Sequence, residues 1–189
     1  MSPARQRQRL TRAAALAAAV AALVNAGPAL ADEVFGGVYA HEVDTPFTLK
    51  TYEDGTDIQI GYRTDPIEAL GVIGKPAAHV FVSANTAGDT SFAAAGLDWT
   101  VRMGRTFYVR PGIGLAVHDA PSFRLNPEGT RRTDFGSRVL FEPELAIGAQ
   151  LTPKLSLEAS WVHISNGRIF NGHQNPGLDT IGVRANLKL

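Results

Sequence analysis

The sequence predicts an all-β fold, an eight-stranded antiparallel transmembrane up-and-down β-barrel. Three observations carry that prediction. Period-two alternation runs over unusually long stretches, tight turns alternate with long polar connections, and the first residues read as an export signal.

The export signal occupies residues 1–31. Arg5, Arg7, Arg9 and Arg12 form a basic start, Ala13 to Val24 is an unbroken apolar run, and Ala29-Leu30-Ala31 is an A-x-A cleavage pattern after Pro28. The run is short against the roughly 20 residues that a spanning helix needs. Cleavage between Ala31 and Asp32 leaves residues 32–189 as the barrel domain, with 14 Lys+Arg against 18 Asp+Glu once the four arginines are removed. No basic stripe points to nucleic acid. There is no cysteine, which excludes disulfides and any thiolate nucleophile or metal ligand.

Alternation is clearest over 138–150. Val139, Phe141, Pro143, Leu145, Ile147 and Ala149 share one face, while Arg138, Glu142, Glu144 and Gln150 fall on the other. The stretch 106–118 repeats the design with Phe107, Val109, Ile113, Leu115 and Val117 opposite Tyr108, Arg110 and His118. Ala93–Met103 and Thr180–Leu189 follow suit, and Val34–His41, Thr56–Arg63, Ala77–Thr86 and Leu155–Asn166 complete eight. Soluble strands average about 5 to 6 residues, whereas a tilted membrane-crossing strand needs about 9 to 11. Pro111 and Pro143 fall mid-strand, where a missing N–H breaks the ladder, and are expected to mark bulges.

Gly104-Arg105 and Thr152-Pro153 read as tight turns, and 119–134 and 167–176 as long polar loops. Short turns at one end and long loops at the other suit an outer-membrane barrel with its N-terminus on the periplasmic side. Eight strands leave room inside only for side chains. Arg110, Arg138, Glu142, Glu144, Glu158 and Arg184 are therefore expected to pair in the lumen, and no pore is expected.

The last two strands carry the chemistry. Leu155, Leu157, Ala159, Trp161, His163 and Ser165 share the outward face, so a polar pair continues an apolar stripe. Residues two apart on a strand lie roughly 6.5–7 Å apart at Cα, within reach for an imidazole to act as base toward a serine nucleophile. Asp179 shares outward parity with Ile181, Val183 and Leu187 on the adjoining strand, at the same end. It would supply the acid that a triad needs. The alternative is that all three lie in a solvated rim above the membrane boundary.

His163-Ile164-Ser165-Asn166, followed by Asn175-Pro176-Gly177-Leu178-Asp179, resembles the signature of the PagL-type lipid A 3-O-deacylases, also grouped as acyloxyacyl hydrolases. The resemblance implies an eight-stranded barrel in the outer membrane of a Gram-negative cell, acting without a cofactor or metal on lipopolysaccharide in the outer leaflet. It makes Ser165 the nucleophile, His163 the base and Asp179 the orienting acid. Asn166 and Asn175 become candidates for the oxyanion site, and Gly167 can contribute a backbone N–H. Two departures stand out: aspartate takes the place of the expected glutamate, and the loop between Ser165 and Asn175 is about two residues longer than in the best-known member.

Other polar residues carry weaker signals. His173 in the loop after Ser165 is a candidate for a phosphate, as are Lys50, Arg124, Arg131 and Arg132 in the outward loops. His41, His79 and His118 lack a second ligand at metal-like spacing, and Asn85–Asp89 reads as a turn. A non-catalytic barrel (adhesin or structural protein), another lipid-modifying barrel and a soluble periplasmic sandwich are the alternatives at this point.

Overall fold

The long alternating stretches of the sequence fold as strands, one of them, 93–103, in two pieces. The computed structural model describes residues 33–48, 52–121 and 132–189. The signal peptide expected over 1–31 and the cations Lys50, Arg124 and Arg131 lie outside the described residues. The strands are β1 (Glu33–Ala40), β2 (Thr56–Arg63), β3 (Ala77–Asn85), β4 (Phe92–Asp98), β5 (Val101–Met103), β6 (Phe107–His118), β7 (Val139–Gln150), β8 (Leu155–Ile164) and β9 (Leu178–Lys188). Neighbours run β4-β3-β2-β1-β9-β8-β7-β6-β5, and β4 also pairs with β6, which closes the sheet. Every pairing is antiparallel, including β1 with β9.

β4 and β5 are two pieces of one stave, because both pair with β6 in a single register: Asp98 faces Gly112 and Val101 faces Val109. The barrel therefore has eight staves. Between the pieces, Trp99 donates its N–H to the Pro111 carbonyl at 3.0 Å, and proline has no N–H to return. The β7–β8 ladder likewise reaches Glu144 opposite Val162, misses Pro143, and resumes as a bridge between Phe141 and Ser165. The expected bulges are thus absent. Register is unbroken across both prolines, and the missing N–H leaves a gap in the ladder instead.

The lumen is filled by paired charges. Arg184 is fully buried between Glu144 at 3.0 Å and Glu158, with its guanidinium 4.8 Å from the Phe35 ring centre. Arg110 reaches Glu158 at 2.6 Å and Glu33 at 3.1 Å. Arg63 pairs with Asp98 at 2.6 Å and with Glu33. His79 lies between Asp98 at 3.2 Å and Glu142 at 3.3 Å. Removing one member would leave its partners buried and uncompensated, at about 3–5 kcal/mol. Arg138 does not join this network, contrary to its strand parity. It precedes β7, is exposed, and directs its guanidinium to the carbonyls of His118 and Ala120 at 3.4 Å. Two inward glycines make room for rings: a Cβ at Gly148 would lie 2.2 Å from Tyr108, and one at Gly61 2.3 Å from Phe35.

The outer wall is apolar. Ile60, Ile113, Ile147 and Val183 are all more than half exposed (Val183 66%), a belt far larger than a water-facing surface tolerates. No helix among the described residues is long and apolar enough to cross a membrane.

The end of the barrel bearing the 41–55, 119–138 and 165–177 connections is called here the loop end. The other end carries the 3-10 helix Glu68–Ile73 between β2 and β3. At the loop end, buried His41 donates from Nδ1 to Asp57 at 2.9 Å and from Nε2 to Glu53 at 2.9 Å. Glu53 also accepts from the Thr90 hydroxyl at 2.7 Å and from the backbone of Thr90 and Thr133. One carboxylate thereby joins three connections. Burial alone would push the His41 imidazole down, but its bonds to Asp57 and Glu53 outweigh that and raise it to about 9. Glu53 is held below its usual range: burial opposes this, and the His41, Thr133 and Thr90 bonds outweigh it.

Because His41 titrates higher folded than unfolded (roughly 6.5), its contribution is complete below that unfolded value. It fades as pH rises through about 9. Thermal unfolding in micelles between pH 6 and 9.5 should record a loss on the order of 3 kcal/mol. His41→Asn should be less stable at pH 6 and much flatter over the same range.

Candidate active site

β8 and β9 bring His163 and Asp179 together because their register places the two directly opposite each other. Both point outward at the loop end. His163 Nδ1 donates to Asp179 Oδ1 at 2.8 Å, which leaves Nε2 with a lone pair to accept a proton. Asp179 is fully buried and takes two further donors, the Trp161 indole N–H on Oδ1 at 2.7 Å and the Thr45 hydroxyl on Oδ2. An ionised carboxylate can only accept, and this one is met from β8 and from the 41–48 segment.

Ser165 lies just past the end of β8, on the same wall as His163. Its backbone is fixed by exchange with Phe141: Phe141 N–H donates to its carbonyl at 2.7 Å, and its N–H donates back at 3.1 Å. Pro143 faces His163 in this register, so the ladder gap falls beside the imidazole. Ser165 and His163 are each 7% exposed. Among the described residues no hydrogen bond joins the Ser165 hydroxyl to the His163 ring, and closing that contact requires side-chain rotation.

Aromatic rings and one glycine shape the surroundings. Phe47 lies 5.6 Å from Trp161 and 6.5 Å from His163, centre to centre. On the other side Phe141 stacks on Phe170 at 5.1 Å. Gly177 has φ +70, and a Cβ there would sit 2.9 Å from His163 Cε1.

The predicted oxyanion residues divide into two kinds. Asn166 is fully buried and committed: its side-chain N–H groups donate to Phe135 and Gln174 carbonyls, and its Oδ1 accepts from Arg168 N–H at 2.7 Å. Its backbone N–H donates to Asn175 Oδ1 at 2.8 Å. Asn166 therefore staples the 166–175 loop to residue 135. Gly167 is exposed with φ +61, and the Asn175 amide nitrogen has no protein acceptor among the described residues. His173 lines a cleft of about 560 Å³ with Asp134, Arg168 and Asn175, among others. Arg132 pairs with Asp119, and His118 meets the Ser137 carbonyl at 2.7 Å. Asn85 does close a turn, its Oδ1 accepting from Ala87 and Asp89 N–H.

One set of potential metal ligands exists among the described residues: His79, Asp98 and Glu144, with ligand atoms within 4.8 Å of one another. All three are occupied by the lumen's ion pairs. Sequence reading missed Thr45, 134 residues from Asp179. Trp161 was within reach of parity, since it shares the His163 face.

A closed eight-stave barrel with a histidine–carboxylate pair on its outer wall is an outer-membrane-type barrel carrying a polar site where its class has apolar side chains. The chain belongs to the lipid A 3-O-deacylase (PagL) family, whose family model matches residues 77–188. The fold is similar to the crystal structure of the outer membrane enzyme PagL, with 14% identity, TM-score 0.57, and 83% of this chain and 99% of that one covered. Two further structures resemble it less. The Yersinia pestis outer membrane protein Ail has 10% identity and TM-score 0.46, covering 84% and 99% of the two chains. Outer membrane protein H of P. aeruginosa has 15% identity and TM-score 0.44, covering 84% and 100%. No curated protein matches the sequence.

Asn166→Ala should open the 166–175 loop. Three side-chain hydrogen bonds, one buried and two part-buried, vanish at about 1 kcal/mol each. Limited proteolysis should then cut within this loop at least tenfold faster, with the barrel's own melting little changed.

Proposed function

We propose that this chain is an outer-membrane hydrolase that removes the ester-linked acyl chain at the 3-position of lipid A, releasing a 3-hydroxy fatty acid. Family membership supports the substrate and bond, and the apolar outer wall supports a barrel set in lipid. The observation that carries the mechanism is the bond from His163 Nδ1 to Asp179 on the outward face, two residues from Ser165 on the same wall.

In this reading His163 Nε2 takes the proton of Ser165 Oγ as the oxygen attacks the ester carbonyl. Asp179 holds the ring's tautomer and stabilises the imidazolium. The Gly167 N–H and the Asn175 amide are the donors for the developing oxyanion, held in place by Asn166. The imidazolium then protonates the departing sugar oxygen, and water, deprotonated by Nε2, releases the fatty acid from Ser165. No step calls for a cofactor. Lipopolysaccharide diffuses laterally in the outer leaflet, so a site on the wall receives it without passage through the filled lumen. Asp179 in place of the longer glutamate is compatible with this role because its strand faces His163 directly.

Mass spectrometry of lipid A from cells expressing the wild type should show loss of one hydroxyacyl mass, absent with Ser165→Ala. Identical spectra from the two, with both barrels folded in the membrane, would mean a non-catalytic barrel. Gain of an acyl chain, or cleavage of phospholipid instead, would assign another lipid-modifying activity. Gly177→Ala should lower turnover on the order of tenfold or more by displacing the imidazole, while the protein still folds.

A further inference from the structure

We propose that Thr45 and Trp161 are positioning residues that fix the Asp179 carboxylate for His163, and that the 41–48 segment is a strap built to deliver Thr45. The inference rests on the Ser-His-acid reading above.

The carboxylate is gripped at both oxygens. Oδ1 receives His163 Nδ1 and Trp161 Nε1, and Oδ2 receives Thr45. The direction of the Thr45 bond is determined, because its Oγ1 accepts the Phe47 N–H at 3.1 Å and its own proton is left for Asp179. With Trp161 and Thr45 holding separate oxygens, rotation of the carboxylate would break at least one bond. Oδ1 is thereby kept in line with the imidazole. Without those two donors, only the histidine itself would orient the acid.

The strap is held along its length, and its first anchor, His41, lies away from the site. His41 at its start is held by Asp57 and Glu53, and Val43 N–H donates to the Asp179 backbone carbonyl at 2.9 Å. At its far end Phe47 covers Trp161 and His163, and Thr48 packs where a Gly177 Cβ would otherwise be. Thus one segment supplies a donor to the acid and an apolar cover to the base, which keeps water from competing for the same bonds.

The test uses the full chain folded in detergent micelles with purified lipid A. Thr45→Val keeps the shape and removes the hydroxyl, Thr45→Ser restores it, and Trp161→Phe removes the indole N–H together with one ring of the indole. Thr45→Val and Trp161→Phe should each lower kcat about 10- to 100-fold with KM nearly unchanged. Thr45→Ser should recover to within about threefold, the hydroxyl being the group that acts. In an Asp179→Asn background Thr45→Val should have little further effect, because it acts through the acid. A full additional loss in that background would assign Thr45 a merely structural role and overturn the proposal, as would unchanged kcat in Thr45→Val. Inactivity of the wild type would instead sink the catalytic reading. The strap is then judged by proton NMR of the His163 Nδ1–H, which should be protected in wild type and exchange faster in Thr45→Val. Equal exchange in the two would also overturn the proposal.

Discussion

Closure of the sheet into a ring is the constraint on which the rest depends. A ring of eight staves offers each strand residue only two places, the lumen or the outer wall. The lumen is too narrow to hold charges apart from one another. Arg184, Arg110 and Arg63 therefore meet Glu144, Glu158, Glu33 and Asp98 directly, and His79 fills the remaining contact with Glu142. With polar side chains so strictly sorted inward, a histidine and an aspartate on the outer wall stand out as a departure from that sorting.

Parity explains why the site was legible in the sequence. Its period of two persists as long as a strand does, so the shared face of His163, Ser165 and Asp179 followed from counting, and the facing of His163 and Asp179 in the β8–β9 register agrees with it. The same rule failed at Arg138, which lies one residue before β7 and is free to leave the lumen face. The expected network also left out Glu33, Arg63, His79 and Asp98, which the first four staves turn into the lumen. The prolines were read as bulges on the assumption that a lost donor must distort the register. Here the neighbouring bonds held the register and only the ladder was interrupted.

Contacts that cross long stretches of sequence were beyond reach. Glu53 joins His41, Thr90 and Thr133 through hydrogen bonds that no local pattern encodes. Asn166 was visible as a polar neighbour of Ser165, yet its commitment to Phe135 and Gln174 depends on how two loops pack. Both cases have one physical origin. A loop's buried polar groups need partners, and the partner is whichever loop the barrel's circumference brings alongside.

The strap follows from where the acid stands. A carboxylate in the lumen finds donors on every side, whereas one on the outer wall faces an apolar belt in one direction and its own backbone in the other. Donors can arrive only from the adjoining strand, from the same face one pleat away, and from a loop folded over the rim. His163, Trp161 and Thr45 fill those three directions. The third is the most demanding, because a loop must be held still to be useful. That hold comes from His41, bonded to Asp57 on the lumen face of β2 and to Glu53 between the loops. The network that satisfies the barrel's mouth and the contacts that orient the outer site are thus joined through a few residues of one segment. That segment leaves β1, the strand paired with the β9 that carries Asp179.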